Sequence, residues 1–357
     1  MTTRTAPRGE TRQVPRFARR VAAVLLSLVL VVLIAYGVAS AYLTGLATTA
    51  ERHLAEGTPA DLGLAYQPVT FASPLDGIEL RGWYLPAGGQ RAIIFVHGIH
   101  GNRWDTFHHI DDLIARHVRA GFDVLTFDMR AHGESGGDRF TLGSKERFDL
   151  RSAVGLVVQR GIPPGRIGVW AQSLGTAAAL LAAPDLPDVA AVVTDSALAD
   201  ARLLIDSELH LRTGLPPVFA PGMTLVGGPV YGIDLDAIPP EKAIPRIAPR
   251  PILLIHGDAD TRIPVEHSRR LFAAAHNPAA ELWIVPGAGH VLSFTIAPDA
   301  YATRVLEFFD RSLGLDAAGL IQGAAPLRSV RRGRGRDRYH GMRVRLRRTG
   351  VTCRCRS

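Results

Sequence analysis

Six residues, Trp170-Ala171-Gln172-Ser173-Leu174-Gly175, constrain this chain more than any others. An apolar run, Ile167-Gly168-Val169, leads into them, and a small-residue run, Thr176-Ala177-Ala178-Ala179-Leu180-Leu181, leads out. The pattern reads as strand, sharp turn, helix. A serine at the tip of such a turn is pushed out above the sheet, where its hydroxyl can reach a carbonyl carbon. The turn draws neighbouring backbone close, so the flanking residues must be small. The usual form is Gly-x-Ser-x-Gly; here Ala171 stands at the first glycine.

Three further segments give that serine company. Upstream, Ala92-Ile-Ile-Phe-Val-His97-Gly98-Ile99-His100-Gly101-Asn102 is a strand ending in His-Gly. Backbone N–H groups in such a loop can face a developing oxyanion. Downstream, Pro251-Ile-Leu-Leu-Ile-His256-Gly257-Asp258-Ala259-Asp260 is a buried-strand pattern ending in carboxylates. Beyond it, Glu281-Leu-Trp-Ile-Val-Pro-Gly-Ala-Gly289-His290 runs from a strand into a Gly-rich loop with a histidine. The chain order is serine, acid, histidine.

These motifs, together with Asp128-x-Arg130-x-His132-Gly133-x-Ser135 and Ile263-Pro264, resemble the α/β-hydrolase superfamily over roughly residues 66–314. Within it the chain is similar to membrane-anchored serine hydrolases related to the serine-aminopeptidase and prolyl-oligopeptidase-like groups. The resemblance implies a Ser173–His290–Asp260 triad and an oxyanion hole from the backbone N–H of Leu174 and Ile99. It implies no cofactor and names no substrate.

In that triad Ser173 is the nucleophile, which needs a base because a hydroxyl is weak at neutral pH. His290 is the base, then the acid. Asp260 orients the imidazole and stabilises its charged form. Asp258 lies two residues before Asp260, and the His-Gly-x-x-Asp spacing favours the latter. Asp195, in Val192-Val193-Thr194-Asp195-Ser196, ends the next strand and is the alternative acid. His97 and His100 read as structural. His132 and Ser135 sit in a stretch that resembles a family loop bracing the site, and Asp128 and Arg130 are expected to make a buried ion pair or backbone hydrogen bonds, since charges at strand ends need partners. His108, His109, Asp111 and Asp112 cluster without making a metal site the expected reading. There is no phosphate loop and no dinucleotide fingerprint.

The N-terminus carries a different message. Residues 1–20 hold six arginines against Glu10, and residues 21–50 hold no charge. The span 21–43 is 23 residues without polar positions at helical period, and a membrane helix needs about 20. Arginines on its N-terminal side predict that this end stays in the cytoplasm and that the rest lies outside. Ala39-Ser40-Ala41 also fits a signal-peptide cleavage site, which would give a secreted protein instead. In both cases the site works outside the cytoplasm.

Residues 44–65 read as a linker. Strands at 92–97, 123–129, 167–172, 190–195, 251–256 and 281–285 alternate with helical segments, which predicts an α/β class with a mostly parallel sheet covered on both faces. A hairpin is expected over 66–87, turning at Asp76-Gly77. Residues 198–249 are too long for a simple crossover helix, and the resemblance implies that such an insertion forms a cap over the serine. The C-terminal segment 315–357 is expected to be disordered; from 327 on it holds twelve arginines, Asp337 and both cysteines. Of the chain's net charge of +8, residues 1–20 supply +5 and residues 327–357 +11, which leaves −8 for the rest. The basic balance therefore says nothing about the hydrolase-like domain, and no nucleic-acid partner is expected.

The reading that follows is a serine hydrolase cleaving a carboxylic ester or similar small acyl substrate. A peptidase or aminopeptidase-like amide hydrolase is the runner-up, disfavoured by the lack of a large N-terminal domain. A non-catalytic binding protein on the same fold is the third.

Overall fold

The computed structural model describes residues 16–200, 202, 214, 217–233 and 239–314. The expected basic start (1–15), the arginine-rich tail (315–357) and much of the expected cap lie outside the described residues. Chain order brings strands β1 (Gln67–Ala72), β2 (Glu79–Leu85), β3 (Ala92–Val96), β4 (Asp123–Phe127), β5 (Ile167–Gln172), β6 (Val189–Asp195), β7 (Ile252–Gly257) and β8 (Ala280–Val285). The helices are α1 (Arg16–Ala47), α2 (Ile110–Arg119), α3 (Glu146–Gln159), α4 (Leu174–Ala182), α5 (Ala220–Tyr231), α6 (Pro240–Ala243), α7 (Glu266–Ala275), α8 (Ser293–Ile296) and α9 (Pro298–Leu313).

The strands form one sheet in the order β1-β2-β4-β3-β5-β6-β7-β8. The pairs β1–β2 and β2–β4 are antiparallel, and every later pair is parallel. The hairpin forms as expected, though its loop is wider than a two-residue Asp-Gly turn; Gly77 N–H closes back on Ser73 O at 2.9 Å.

The apolar runs of β3, β4, β5 and β7 are buried along their whole length. Their residues alternate between two cores because side chains point to opposite faces in turn. Ile94, Val96, Val169, Ala171 and Leu254 pack with α3, α4 and α7 on one face. Ile93, Phe95, Trp170, Val193 and Ile255 pack with α2 and α9 on the other. Both layers are needed, since a parallel sheet with one bare face would leave such runs in water.

The chain leaves β3 toward β4 on one side and resumes with β5 on the other. The β3–β5 seam is therefore the point where strand order reverses, and the carboxyl ends of the strands there form a crevice. The loop after β3 and the turn after β5 meet in it, with Val96 level with Ala171.

Helix α1 runs for 32 residues, past both ends of the expected 21–43 span. It is the one helix among the described residues long and apolar enough to cross a membrane, with mean hydropathy 2.9. Residues 44–65, expected as a linker, are held to the domain. They contain the last turn of α1, a 3-10 turn over Pro59–Leu62, and between them Arg52, whose guanidinium donates to the carbonyls of Gly133 (3.0 Å) and Ser135 (2.6 Å).

Candidate active site

Ser173 sits between β5 and α4 with φ 49° and ψ −121°, a conformation that costs a non-glycine residue energy. Surrounding contacts hold it there. Ser173 N–H donates to Asp195 O at 2.9 Å, and Thr176 N–H donates back to Ser173 O at 2.9 Å. Two glycines make the turn possible. A Cβ on Gly175 would lie 2.6 Å from both Val96 O and His97 O, and one on Gly98 would lie 3.0 Å from Ser173 Cβ. Ala171 fits in place of the usual glycine because it is one of the buried β5 residues facing the α4 core.

Ser173 Oγ lies 2.9 Å from His290 Nε2. His290 Nδ1 lies 2.8 Å from Asp260 Oδ2. Serine, histidine and carboxylate thus form one line of hydrogen bonds, brought together from the loops after β5, β8 and β7. The carboxylate is fixed from its other side, where Asp260 Oδ1 accepts from Arg262 N–H (3.0 Å) and Ile263 N–H (2.8 Å). Burial pushes the Asp260 carboxyl upward, but hydrogen bonds from His256 and His290 and the charge of His290 outweigh it. The acid stays well below the ordinary carboxylate range.

Asp195, the alternative acid, does not meet the histidine ring. Its Oδ1 is 3.2 Å from both Ser196 Oγ and Ser293 Oγ, and Ser196 Oγ accepts from Val291 N–H at 3.0 Å. It braces the loop that carries His290, and complete burial pushes its carboxyl up. Asp258 Oδ1 accepts from Gly287 N–H at 2.6 Å and ties the same loop from outside.

Leu174 opens α4, so its N–H has no acceptor within the helix. Ile99 follows Gly98 in the loop after β3, closed by Gly101 N–H to Gly98 O at 3.2 Å. Both loops border the same cavity, of about 600 Å³, which also holds Ser173 and His290.

His97 is buried and accepts from Met129 N–H at 3.0 Å; desolvation lowers its pKa and keeps it neutral. Asp128 and Arg130 do not pair with each other. Asp128 pairs with Arg103 at 3.2 Å, while Arg130 pairs with Asp149 at 2.6 Å and Asp76 at 2.9 Å. Ser135 Oγ donates to Asp128 O at 2.6 Å and locks the loop.

Several residues at the site make contacts that local sequence does not mark, His256 having served only as the spacing marker for Asp260. His256 is buried behind the acid, with Nε2 3.3 Å from Asp260 Oδ2 and Nδ1 2.6 Å from Ser268 Oγ. Its place four residues before Asp260 was the available clue. Asp105 lines the cavity and pairs with His108 Nδ1 at 2.6 Å. Burial would raise Asp105, but hydrogen bonds from His108 and Gln172 hold its carboxyl low. His53, Leu54 and Glu56 also line the cavity. No sequence signal marks them, because they reach the site only through the path the chain takes after α1. In contrast, the described part of the 198–249 insertion contributes no residue to this cavity; α5 lies against α1 instead.

Residues 91–220 match the family profile described as "alpha/beta hydrolase fold". The chain is 30% identical over 244 residues to the uncharacterized protein YqkD of Bacillus subtilis, covering 66% of this chain and 76% of that one. It is 28% identical over 240 residues to the uncharacterized protein YfhR of Escherichia coli K12, covering 65% and 77% respectively. Among solved structures, the esterase Pf2001 of Pyrococcus furiosus superposes with a TM-score of 0.64 at 28% identity, over 74% of this chain and 100% of that one.

Proposed function

The chain belongs to the α/β-hydrolase family, and on that footing we propose that it is a membrane-anchored serine hydrolase that cleaves a carboxylic ester through an acyl-enzyme on Ser173. One observation carries the reading: the Ser173–His290–Asp260 hydrogen-bond line at the wall of an open cavity. The likeness to an esterase structure supports it.

His290 Nε2 takes the Ser173 hydroxyl proton as Oγ attacks the ester carbon, a general-base step typically contributing about 10²–10⁴-fold. The carbonyl oxygen gains the charge and turns toward the N–H groups of Leu174 and Ile99; one such donor is worth about 10²–10³ in kcat. The C–O bond to the alcohol then breaks, and His290 passes its proton to the leaving alkoxide. Water enters, loses a proton to His290 and attacks the acyl carbon. Ser173 leaves with that proton, and the carboxylic acid is released. Throughout, Asp260 stays ionised and steadies the imidazolium.

Packing supports an uncleaved anchor in α1 over a removed signal peptide. Ser40, in the middle of the cleavage-like Ala39-Ser40-Ala41, is fully buried, and Tyr231 Oη donates to Ala41 O at 2.7 Å. Cleavage there would strip α5 of its partner.

The test is labelling of the full chain with a fluorophosphonate, beside Ser173→Ala, followed by matched ester and amide substrates. Labelling lost in the variant, with the ester turned over faster, is expected. A folded wild type that takes no label overturns the reading, and faster amide cleavage moves it to a peptidase.

A further inference from the structure

Helix α5 belongs to the insertion expected to cover the serine, yet its partner is α1. Tyr36 Oη donates to Val218 O at 2.8 Å and accepts from Gly222 N–H at 3.0 Å. The Tyr36 and Phe219 rings stack at 5.8 Å. At the other end of α5, Tyr231 Oη reaches Ala41 O. The two backbones approach closely: a Cβ on Gly222 would lie 2.1 Å from Ser40 Oγ. Small residues at a helix contact of this kind are a mark of packing within lipid.

The composition of α5 follows its position. Residues 214–233 carry no charge, between Arg212 and Asp234. The docked pair is apolar on its outside as well. Val218 is 61% exposed, Leu225 76% and Val230 56%, beside Val38, Tyr42 and Leu46 of α1 at 66%, 67% and 46%. A lone exposed leucine is ordinary on a soluble surface. Two helices docked along charge-free stretches and both apolar outside are not, since water would face hydrocarbon along each. Among the described residues, a cation meets the docked pair at the Tyr231 end. Arg139 donates to Gly45 O at 2.5 Å and lies over the Tyr231 ring at 4.7 Å. Arginine and tyrosine together are the usual furniture of the head-group layer.

We propose that α5 is embedded in the same lipid bilayer as α1, with its Val218 end deepest and its Tyr231 end among the head groups. The proposal rests on the anchor reading of α1. Depth follows from register. A span of about 20 residues from Val21 ends near Ser40. Tyr36 is four residues inside that edge, about 6 Å at the helical rise, and Val218 and Gly222 bond to Tyr36. Ala41 and Gly45, the partners of the Tyr231 end, lie just outside. The bilayer then holds the hydrolase domain through two elements, so the domain rests on the membrane surface. From Ala47 to the cavity residue His53 is at most about 20 Å of chain. The substrate class this favours is an acyl ester that itself resides in the membrane.

The experiment uses the full chain with Cys353 and Cys355 replaced by serine, reconstituted into phosphatidylcholine–phosphatidylglycerol vesicles. Spin labels are placed at Val218→Cys, Leu225→Cys and Val230→Cys, all exposed positions where a label displaces no packing. References are Val31→Cys on α1 and Glu307→Cys on the domain surface. Collision with oxygen and with a water-soluble nickel chelate is read by paramagnetic resonance. Expected is loss of nickel collision at 218 with oxygen collision kept, as at 31, a smaller loss at 225, since the neighbouring Met223 already packs with Leu43 and Thr44 beyond the edge near Ser40, and the smallest at 230. Nickel contact at 218 and 225 equal to that at 307 overturns the proposal. So does shielding from both reagents, which means protein covers the helix, and so does dipolar broadening, which means a second copy does. A dry position 31 with wet 218 and 225 sinks this proposal alone; a wet position 31 sinks the anchor as well.

Discussion

His290 Nδ1 faces Asp260 Oδ2 at 2.8 Å, while Asp195, at the end of the neighbouring strand, accepts from the hydroxyls of Ser196, Ser293 and Tyr301. Only one of the two acids considered is placed to orient the histidine. Asp260→Asn is expected to lower kcat/KM for an ester by about 10³–10⁴, as when an orienting aspartate is lost in a serine triad. Asp195→Asn should cost less than about tenfold, because an amide oxygen can still accept from Ser196 and Ser293. Steady-state kinetics on both variants decides this, and the reverse ranking would move the acid to β6.

The serine turn depends on Gly175. Its missing Cβ leaves room for the carbonyls of Val96 and His97, each 2.6 Å from where that atom would stand. Backbone cannot yield as a flexible side chain does. Gly175→Ala should cost about 1–3 kcal/mol of stability by overpacking and shift Ser173 away from His290. A loss of fluorophosphonate labelling rate larger than the loss in folded fraction is the result to look for.

Arg52 fastens the segment that carries His53, Leu54 and Glu56 into the cavity wall. Arg52→Ala releases that wall without touching Ser173, His290 or Asp260. KM for a long-chain ester is expected to rise several-fold with kcat nearly unchanged. Equal changes in both parameters would mean that the segment serves the chemistry as well as binding.

Buried neutral histidines predict how stability responds to acid. Burial lowers His117 to about 4 and His132 to about 3. Unfolded, each titrates near 6.5, so below that pH the unfolded chain binds protons that the folded one refuses. Stability therefore falls as pH drops through 6.5 and goes on falling until the folded pKa is reached. At pH 5.5 the loss is on the order of 1 kcal/mol for each histidine relative to pH 7.5. Asp260 works in the same direction at lower pH: its folded pKa is depressed, so its contribution is present above the unfolded carboxylate range and lost beneath it. Thermal unfolding of the full chain in detergent at pH 7.5, 6.5 and 5.5 measures the slope. His117→Gln should start less stable, having lost a core contact, and show a shallower slope.

Much of the architecture was legible because it is local. The strands could be placed to within about two residues of their observed ends, since an apolar run between turn residues has few other ways to bury itself. The proposed site residues Ser173, Asp260 and His290 could be picked out for a related reason. Each stands in the loop just after an apolar strand, and a parallel sheet gathers those loops at one end. The choice between Asp260 and Asp195 was narrowed by spacing but left to geometry, because both acids end neighbouring strands.

The remaining features depend on residues that meet only when the chain closes on itself. Tyr36 bonds to Val218 across 182 positions, and Glu51 N–H reaches His100 across 49. Nothing local distinguishes a loose linker from one fastened by Arg52, or a cap over the serine from a helix lying along α1. The sheet, the serine turn and the residues available for chemistry are written in local sequence, because periodicity and turn sterics act over a few residues. The tertiary structure alone decided that His256 stands behind Asp260, that residues 53–56 wall the cavity and that α5 sits beside the apolar helix. Those outcomes are set by which surfaces are left to bury once the sheet has formed.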